Sequence, residues 1–314
     1  MRDPLADHCR RVIKAVIEGR VVPLLGAGVN LSGRPQTAAW GRGEYLPSGA
    51  ELAGYLADAF DYPPGQARDL VRVSEYAYVM NGSGPLYERL HEVFDADYPI
   101  GHLHRFLAAL PTRIERLGHP RRGQLIVTTN YDDALERSFA EAGEPYDLVS
   151  YIADGAERGK FLHWPSDGEP ILIERPNEYR ALGSADRTVI LKMHGAVDRS
   201  GENGEWDSYV ITEDHYIDYL TQTDIANLVP VTLAAKLRRS HFLFLGYSMR
   251  DWNLRVILHR IWGEQKLKYK SWAVQLDPDE IDREFWELRG VDILDVPLDR
   301  YVDALDDVLG DGRP

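Results

Sequence analysis

The sequence predicts an α/β protein: a doubly wound, largely parallel Rossmann-like sheet with a helical subdomain inserted after the first strand. Three observations carry this prediction. Short apolar runs alternate with amphipathic stretches of helical length along the 314 residues. Four of those runs end in Gly, Asn or His instead of hairpin turns: Leu25-Gly26-Ala27-Gly28, Thr128-Thr129-Asn130, Met193-His194-Gly195 and Leu245-Gly246-Tyr247-Ser248. The first two strands lie roughly a hundred mostly helical residues apart, far more than one crossover needs.

In chain order, a helix is expected first from about Leu5 to Ile17, with Val12, Ile13, Val16 and Ile17 on one face and Gly19 past its end. Val21–Leu25 reads as a buried parallel strand, in which Pro23 suits an edge or a bulge. Residues 31–48 read as a loop over the ligand side. Ser48 caps a helix to about Phe60, with Glu51 at capping-box spacing. Helices are expected over 66–80 and 85–94, separated by Asn81-Gly82-Ser83-Gly84, and another from about Gly101 to Leu110. Together, residues 49–115 form the expected helical insertion.

Gln124–Thr128 is the second strand, followed by a helix from Asp132 to about Ala142. Residues 146–187 read as an irregular insertion holding short strand candidates at Leu148–Ile152 and Ile171–Ile173. Val189–Met193 is a strand, and residues 206–212 are a candidate pairing segment. Thr212 caps the helix that carries Tyr216 to Leu220, and a further helix runs from about Ile225 to Arg239. Then come strand His241–Leu245, a helix from Asp251 to about Trp262, strand Ser271–Leu276, a helix opened by Pro278, strand Val291–Val296 and helix Leu298–Leu309.

Composition limits the function classes. With 36 Lys and Arg against 50 Asp and Glu, the net charge is −14, which argues against direct, broad contact with a nucleic-acid backbone. One small anionic ligand in a local pocket is still compatible with it. No apolar run reaches the ~18 residues of a membrane span, and the start of the chain has no signal-peptide core. Cys9 is the single cysteine, so no internal disulfide and no CxxC zinc site can form, and no metal site is expected. That usage points to a cytosolic compartment.

The dehydrogenase fingerprint GxGxxG fails at its third glycine, where Leu31 stands. Gly26 and Gly28 still allow backbone amides to approach a pyrophosphate. Taken in order, GAG, TTNYD, HG and GYS resemble the sequence blocks of the Sir2 superfamily, whose sirtuins carry GAGxS, TQNxD, an HG dipeptide and G-[TS]-S. The resemblance runs from about Val21 to Ser248. It is nearest to the divergent SIR2-like branch of bacterial antiphage defence, to which Pro47–Leu52, Tyr209–Thr212 and Asp251–Leu254 are also similar, and it makes residues 1–314 a single SIR2-like domain.

Deacylating sirtuins hold a module with four zinc cysteines, which a chain with only Cys9 cannot build. The resemblance therefore implies an NADase that splits NAD+, as substrate and not as cofactor, into nicotinamide and ADP-ribose. It implies that Asn130 holds the nicotinamide ribose and the attacking water, and that His194 takes a proton, for which an ordinary imidazole pKa is suited. Asp132 would hold the carboxamide or order the loop, and a plain helix-capping role stands beside these. Gly26, Ala27 and Gly28 would cradle the pyrophosphate, and Gly246 and Ser248 would lie near the adenosine ribose or phosphate. Asn30 stands where sirtuins have a serine. The same resemblance implies gating by self-assembly or by a partner such as a HerA-type ATPase or a short Argonaute. The rival readings are an NAD+- or ADP-ribose-binding assembly subunit that does not hydrolyse, and a zinc-free deacylase.

Overall fold

The computed structural model describes residues 3–35, 37–182, 186–200, 204–221, 229–249, 258 and 269–310. The expected helix over 251–262, with its Asp251–Leu254 start, and the first part of the one over 225–239 lie outside the described residues. Among the described residues nine strands form one sheet: β1 (Val21–Leu25), β2 (Leu125–Thr128), β3 (Tyr146–Tyr151), β4 (Phe161–Trp164), β5 (Ile171–Ile173), β6 (Thr188–Lys192), β7 (His241–Leu245), β8 (Ser271–Val274) and β9 (Val291–Leu294). The order is β5-β4-β3-β6-β2-β1-β7-β8-β9. All pairs are parallel except β3–β4 and β4–β5.

The described helices are α1 (Pro4–Ile17), α2 (Gly49–Ala59), α3 (Leu70–Asn81), α4 (Ser83–Phe94), α5 (His102–Arg116), α6 (Ala134–Glu141), α7 (Glu213–Thr221), α8 (Val231–Leu237), α9 (Glu280–Glu287) and α10 (Leu298–Gly310). They cover both faces of the sheet. On one face α1, α5, α6 and α10 bury Val12, Phe106, Phe139 and Leu305 against Val21, Leu25 and Ile126. On the other, α7, α8 and α9 bury Tyr219, Leu233 and Trp286 against Val22, Leu24 and Phe244. Alternating residues of β1 thus enter opposite cores, which makes the sheet doubly wound. Helices α2–α4 have a core of their own around Leu56, Val73 and Leu90, closed by Tyr209 and Ile211.

Several elements differ from the expectation, each for a local reason. Pro23 is central, not at an edge: β1 lies between β2 and β7. Its pairing with β7 runs from Val21 to Leu25, whereas its pairing with β2 begins only at Leu24. Leu25 O accepts from Thr129 N beyond β2. Pro23, two residues earlier, faces the same side, so its missing N–H falls at the mouth of that ladder. Helix α5 runs through Pro111 to Arg116 instead of stopping at Leu110. The carbonyl of Leu107, which a proline at that spacing leaves without its helical donor, accepts Gln124 Nε2 at 2.8 Å.

Helix α3 starts at Leu70, where the Asp69 carboxylate accepts from Val71 N and Arg72 N. Only Gly82, with φ +87°, separates α3 from α4. Residues 146–187 are more regular than expected, because β3 is an inner strand paired with β6 and carries β4 and β5 outward. Residues 206–212 form no strand, although Ser208 N and Val210 N bond Ala196 O and His194 O. The Ser48–Glu51 capping box and the Thr212 cap on His215 N are both present.

Candidate active site

On either side of β1 the chain proceeds in opposite directions, through β2 and then through β7, so the strand order reverses beside it. Open α/β sheets hold ligands at such a switch point, beyond the carboxyl ends of the strands. Register brings the four motifs to one level there. Leu25 pairs with Thr128 and Leu245, and Thr128 with Lys192. Gly26 and Gly246 therefore come directly after the ladder, and Asn130 and His194 each stand two residues beyond it.

The glycines allow two turns to interlock. Gly26 N donates to Leu245 O at 3.0 Å and Gly28 N to Gly246 O at 2.9 Å. A Cβ on Gly28 would lie 2.7 Å from Gly246 O, and one on Gly246, whose φ is +71°, 2.3 Å from Val29 N. Two amides of the Gly26–Gly28 turn are thus engaged by β7 and its turn, and Ala27 is its exposed residue. Gly246→Ala is expected to destabilise the fold by at least ~2 kcal/mol, of which ~1–2 comes from the left-handed backbone alone. Urea unfolding checks this.

Asn130 ties β2 to that turn: its N–H donates to Thr128 Oγ1 at 3.0 Å and its Nδ2 to Gly26 O at 3.2 Å. Asp132 is buried and bonded on both oxygens. Oδ1 accepts from Ala134 N at 3.1 Å, the capping role, and Oδ2 from Asn30 Nδ2 at 2.7 Å. It therefore both starts α6 and anchors the turn after β1. Among the described residues Asn30 Oδ1 is buried without a partner. Beside it lies a cavity of ≈ 210 Å³ whose walls include Arg34, Tyr45 and His104. A buried acceptor without a donor is a place for a ligand N–H. His104 is buried, with Nδ1 unpartnered among the described residues and its imidazole pKa lowered by burial against the opposing pull of Asp132.

His194 is buried at the end of β6, edge-on to Tyr216 and Tyr219 with centroids 5.5 and 6.0 Å away, and among the described residues its Nε2 is unpartnered. Burial lowers its pKa to about 3, so it does not titrate near neutrality as expected but stays neutral there. Among the described residues it makes no hydrogen bond to Asn30, Asn130 or Asp132. Ser248 is exposed.

His8, under Tyr301, is likewise lowered to about 4, mainly by burial. For both histidines the folded pKa lies below the unfolded one near 6.5. Their stabilising contribution is complete above that pH and is lost as pH falls toward 4 and 3. Each costs about 1.4 kcal/mol per pH unit in that window. Urea midpoints are therefore expected to fall between pH 6.5 and 4, with proton uptake on unfolding. A flat profile would contradict this.

The strand-end motifs missed two residues. Lys192 ends β6 only 1% exposed, and its Nζ donates to Glu136 Oε1 at 2.6 Å, to Tyr131 O at 3.3 Å and to Asp132 O. Burial raises the Glu136 carboxyl pKa, and Lys192 opposes this. The lysine thereby holds the backbone between Asn130 and α6. A lysine ending the apolar run Val189-Ile190-Leu191 was the available signal. Tyr247 places its ring over Gly26 and its hydroxyl 2.9 Å from Thr129 Oγ1, linking the β7 and β2 turns. Among the described residues no group of three His, Cys, Asp or Glu side chains is placed to hold a metal ion. No described helix is long and apolar enough to cross a membrane.

Residues 124–294 match the family described as SIR2-like domain. Defense-associated sirtuin 2 of Bacillus subtilis is 24% identical over 303 residues, which is 93% of this chain and 24% of that protein. The NAD(+) hydrolase ThsA of Enterococcus faecium is 27% identical over 254 residues, 80% of this chain and 42% of that protein. Its namesake from Acinetobacter baumannii (strain 532279) is 28% identical over 253 residues, again 80% of this chain and 41% of that protein. The chain thus spans between about a quarter and two-fifths of the length of these relatives. The family match runs from β2 to β9, through the Asn130, His194 and Gly246 strand ends and over more than half of the sequence: this chain belongs to the SIR2-like domain family.

Proposed function

We propose that this chain cleaves NAD+ to nicotinamide and ADP-ribose as the gated effector of an antiphage defence complex. The observation that carries the reading is the knot at the switch point, where Asn130 is fixed on Gly26 and Asp132 on Asn30. Relatives named NAD(+) hydrolase and defense-associated sirtuin support it.

The bond from the ribose to nicotinamide breaks with oxocarbenium character on the sugar, and nicotinamide leaves neutral, so no acid is needed at the leaving group. Water adds to the sugar carbon and one proton is released. The protein must orient the ribose and the water. Asn130 is assigned that task. Asn30 Oδ1 accepts the carboxamide N–H, with Asp132 holding Asn30 in place. Neutral His194 offers Nε2 as a hydrogen-bond acceptor that orients the water or a ribose hydroxyl while the proton passes to solvent. Ala27, between Gly26 and Gly28, faces the pyrophosphate, and Gly246 and Ser248 border the adenosine side. NAD+ is the substrate, and no metal or further cofactor enters the scheme.

Depletion of NAD+ requires a gate. We assign it to assembly, with further copies of this chain or with a partner such as a HerA-type ATPase or a short Argonaute. An acidic chain leaves any nucleic-acid trigger to that partner. The test is to incubate the assembled protein with NAD+ and separate the products: equimolar nicotinamide and ADP-ribose are expected. Stoichiometric binding without turnover would replace this reading with that of a binding subunit. Consumption of NAD+ only with an acyl-lysine peptide would replace it with that of a deacylase.

A further inference from the structure

The opposite end of the same strands carries a second hollow. Arg20 precedes β1, Arg122 precedes β2, Lys236, Arg239 and Ser240 precede β7, and Tyr269 precedes β8. These side chains line a cavity of ≈ 490 Å³, and among the described residues its walls contain no carboxylate. On a chain of net charge −14, four cations thus converge on one concave place. Arg20 pairs with Glu18. Among the described residues Arg122, Lys236 and Arg239 have no acidic partner.

Part of this has an ordinary origin. Helices α1 and α8 end nearby, and cations offset the partial negative charge of helix C-termini. That accounts for basic residues near the sheet edge, each in open solvent. It does not account for their meeting at a single hollow, or for the burial of one ammonium beside a guanidinium. Lys236 is half-buried, and its Nζ donates to Gly123 O at 3.2 Å. Burial and then Arg122 lower its pKa. Like charges held together without a counterion are relieved by an anion.

We propose that this cavity binds a small phosphate-bearing ligand of nucleotide size. The forks of Arg122 and Arg239 and the point charge of Lys236 are the donor set that matches a phosphate. The volume falls within the range of small-molecule sites. Tyr269, half-buried and tilted against His241 with centroids 5.2 Å apart, offers a ring face at the rim for a base. The site is separate from the switch point, and its test does not depend on NAD+ cleavage.

The test reads Lys236 itself. The full chain is acetylated briefly with acetic anhydride, with and without ADP, and the rates at Lys236 and at exposed Lys270 are followed by peptide mass spectrometry. Near-saturating ADP is expected to slow acetylation of Lys236 about tenfold and to leave Lys270 unchanged. Adenosine is expected to have no effect. Arg122→Gln/Arg239→Gln, shown to be folded by circular dichroism, is expected to lose the protection. A Lys236 rate indifferent to ADP, or protection that survives in the double variant, overturns the site. Protection by inorganic pyrophosphate equal to that by ADP overturns the nucleotide-sized ligand.

Discussion

Asn130→Ala is expected to lower NAD+ cleavage by at least ~10²-fold while costing the fold only about 1 kcal/mol. The two effects separate because the side chain has two jobs. Structurally, Nδ2 supplies a single hydrogen bond to Gly26 O, and the backbone bond to Thr128 Oγ1 survives the change. Chemically, it is the group assigned to orient both the ribose and the water, and such a loss reduces kcat more than it raises KM. The measurement is product formation at saturating NAD+ alongside a urea titration. Cleavage that persists at the parental rate in a folded Asn130→Ala protein would remove Asn130 from the site. Asn130→Asp keeps the size but replaces the Nδ2 donor with a carboxylate aimed at a carbonyl, and is expected to be as inactive.

The second large effect is expected at Lys192. Lys192→Met fills the same space and leaves Glu136 without its cation, and the carbonyls of Tyr131 and Asp132 without their donor. Removing one partner of a buried ion pair costs ~3–5 kcal/mol. The raised pKa of Glu136 lets it take up a proton and recover part of this, which moves the loss toward the lower figure at acid pH. Unfolding free energies of Lys192→Met at pH 5 and pH 8 are therefore expected to differ, with the larger deficit at pH 8. Lys192→Met/Glu136→Leu is expected to regain much of the stability. Cleavage is not expected to recover with it, because the backbone after Asn130 still lacks the ammonium that positions it. Full recovery of both would reduce Lys192 to a packing role.

Much of this arrangement was legible in the sequence for a physical reason. A buried parallel strand is a continuous apolar run, and the chain must leave the sheet at its end, so Gly26, Asn130, His194 and Gly246 stood out by position alone. The helices with side-chain caps, such as Ser48 with Glu51 and Thr212, were legible because a cap acts within four residues. The features that the sequence hid depend on distant partners. Helix α5 survives Pro111 because Gln124, in the next element, bonds the freed carbonyl of Leu107. Pro23 is tolerated in the middle of the sheet because of where the β2 ladder starts. Lys192 stands out in the sequence only as a charge ending an apolar run, and its partner is hidden until α6 brings Glu136 to it. The ordinary pKa expected of His194 failed for the same reason, because Tyr216 and Tyr219 that enclose it come from α7.

The central place of β1 also dictates when the molecule becomes complete during its own synthesis. Leu25 pairs with Leu245, 220 residues later in the chain. At ~5–20 residues per second, the ribosome adds β7 roughly ten to forty seconds after β1. Until then the glycine turn has no Gly246 to lock against, and the strand bearing it has one flank open. A nascent chain therefore has no assembled switch point. Contacts of such long sequence separation also form slowly after release. Any activity seated there begins only once β7 has been made, and a product that stops before His241 is expected to lack it.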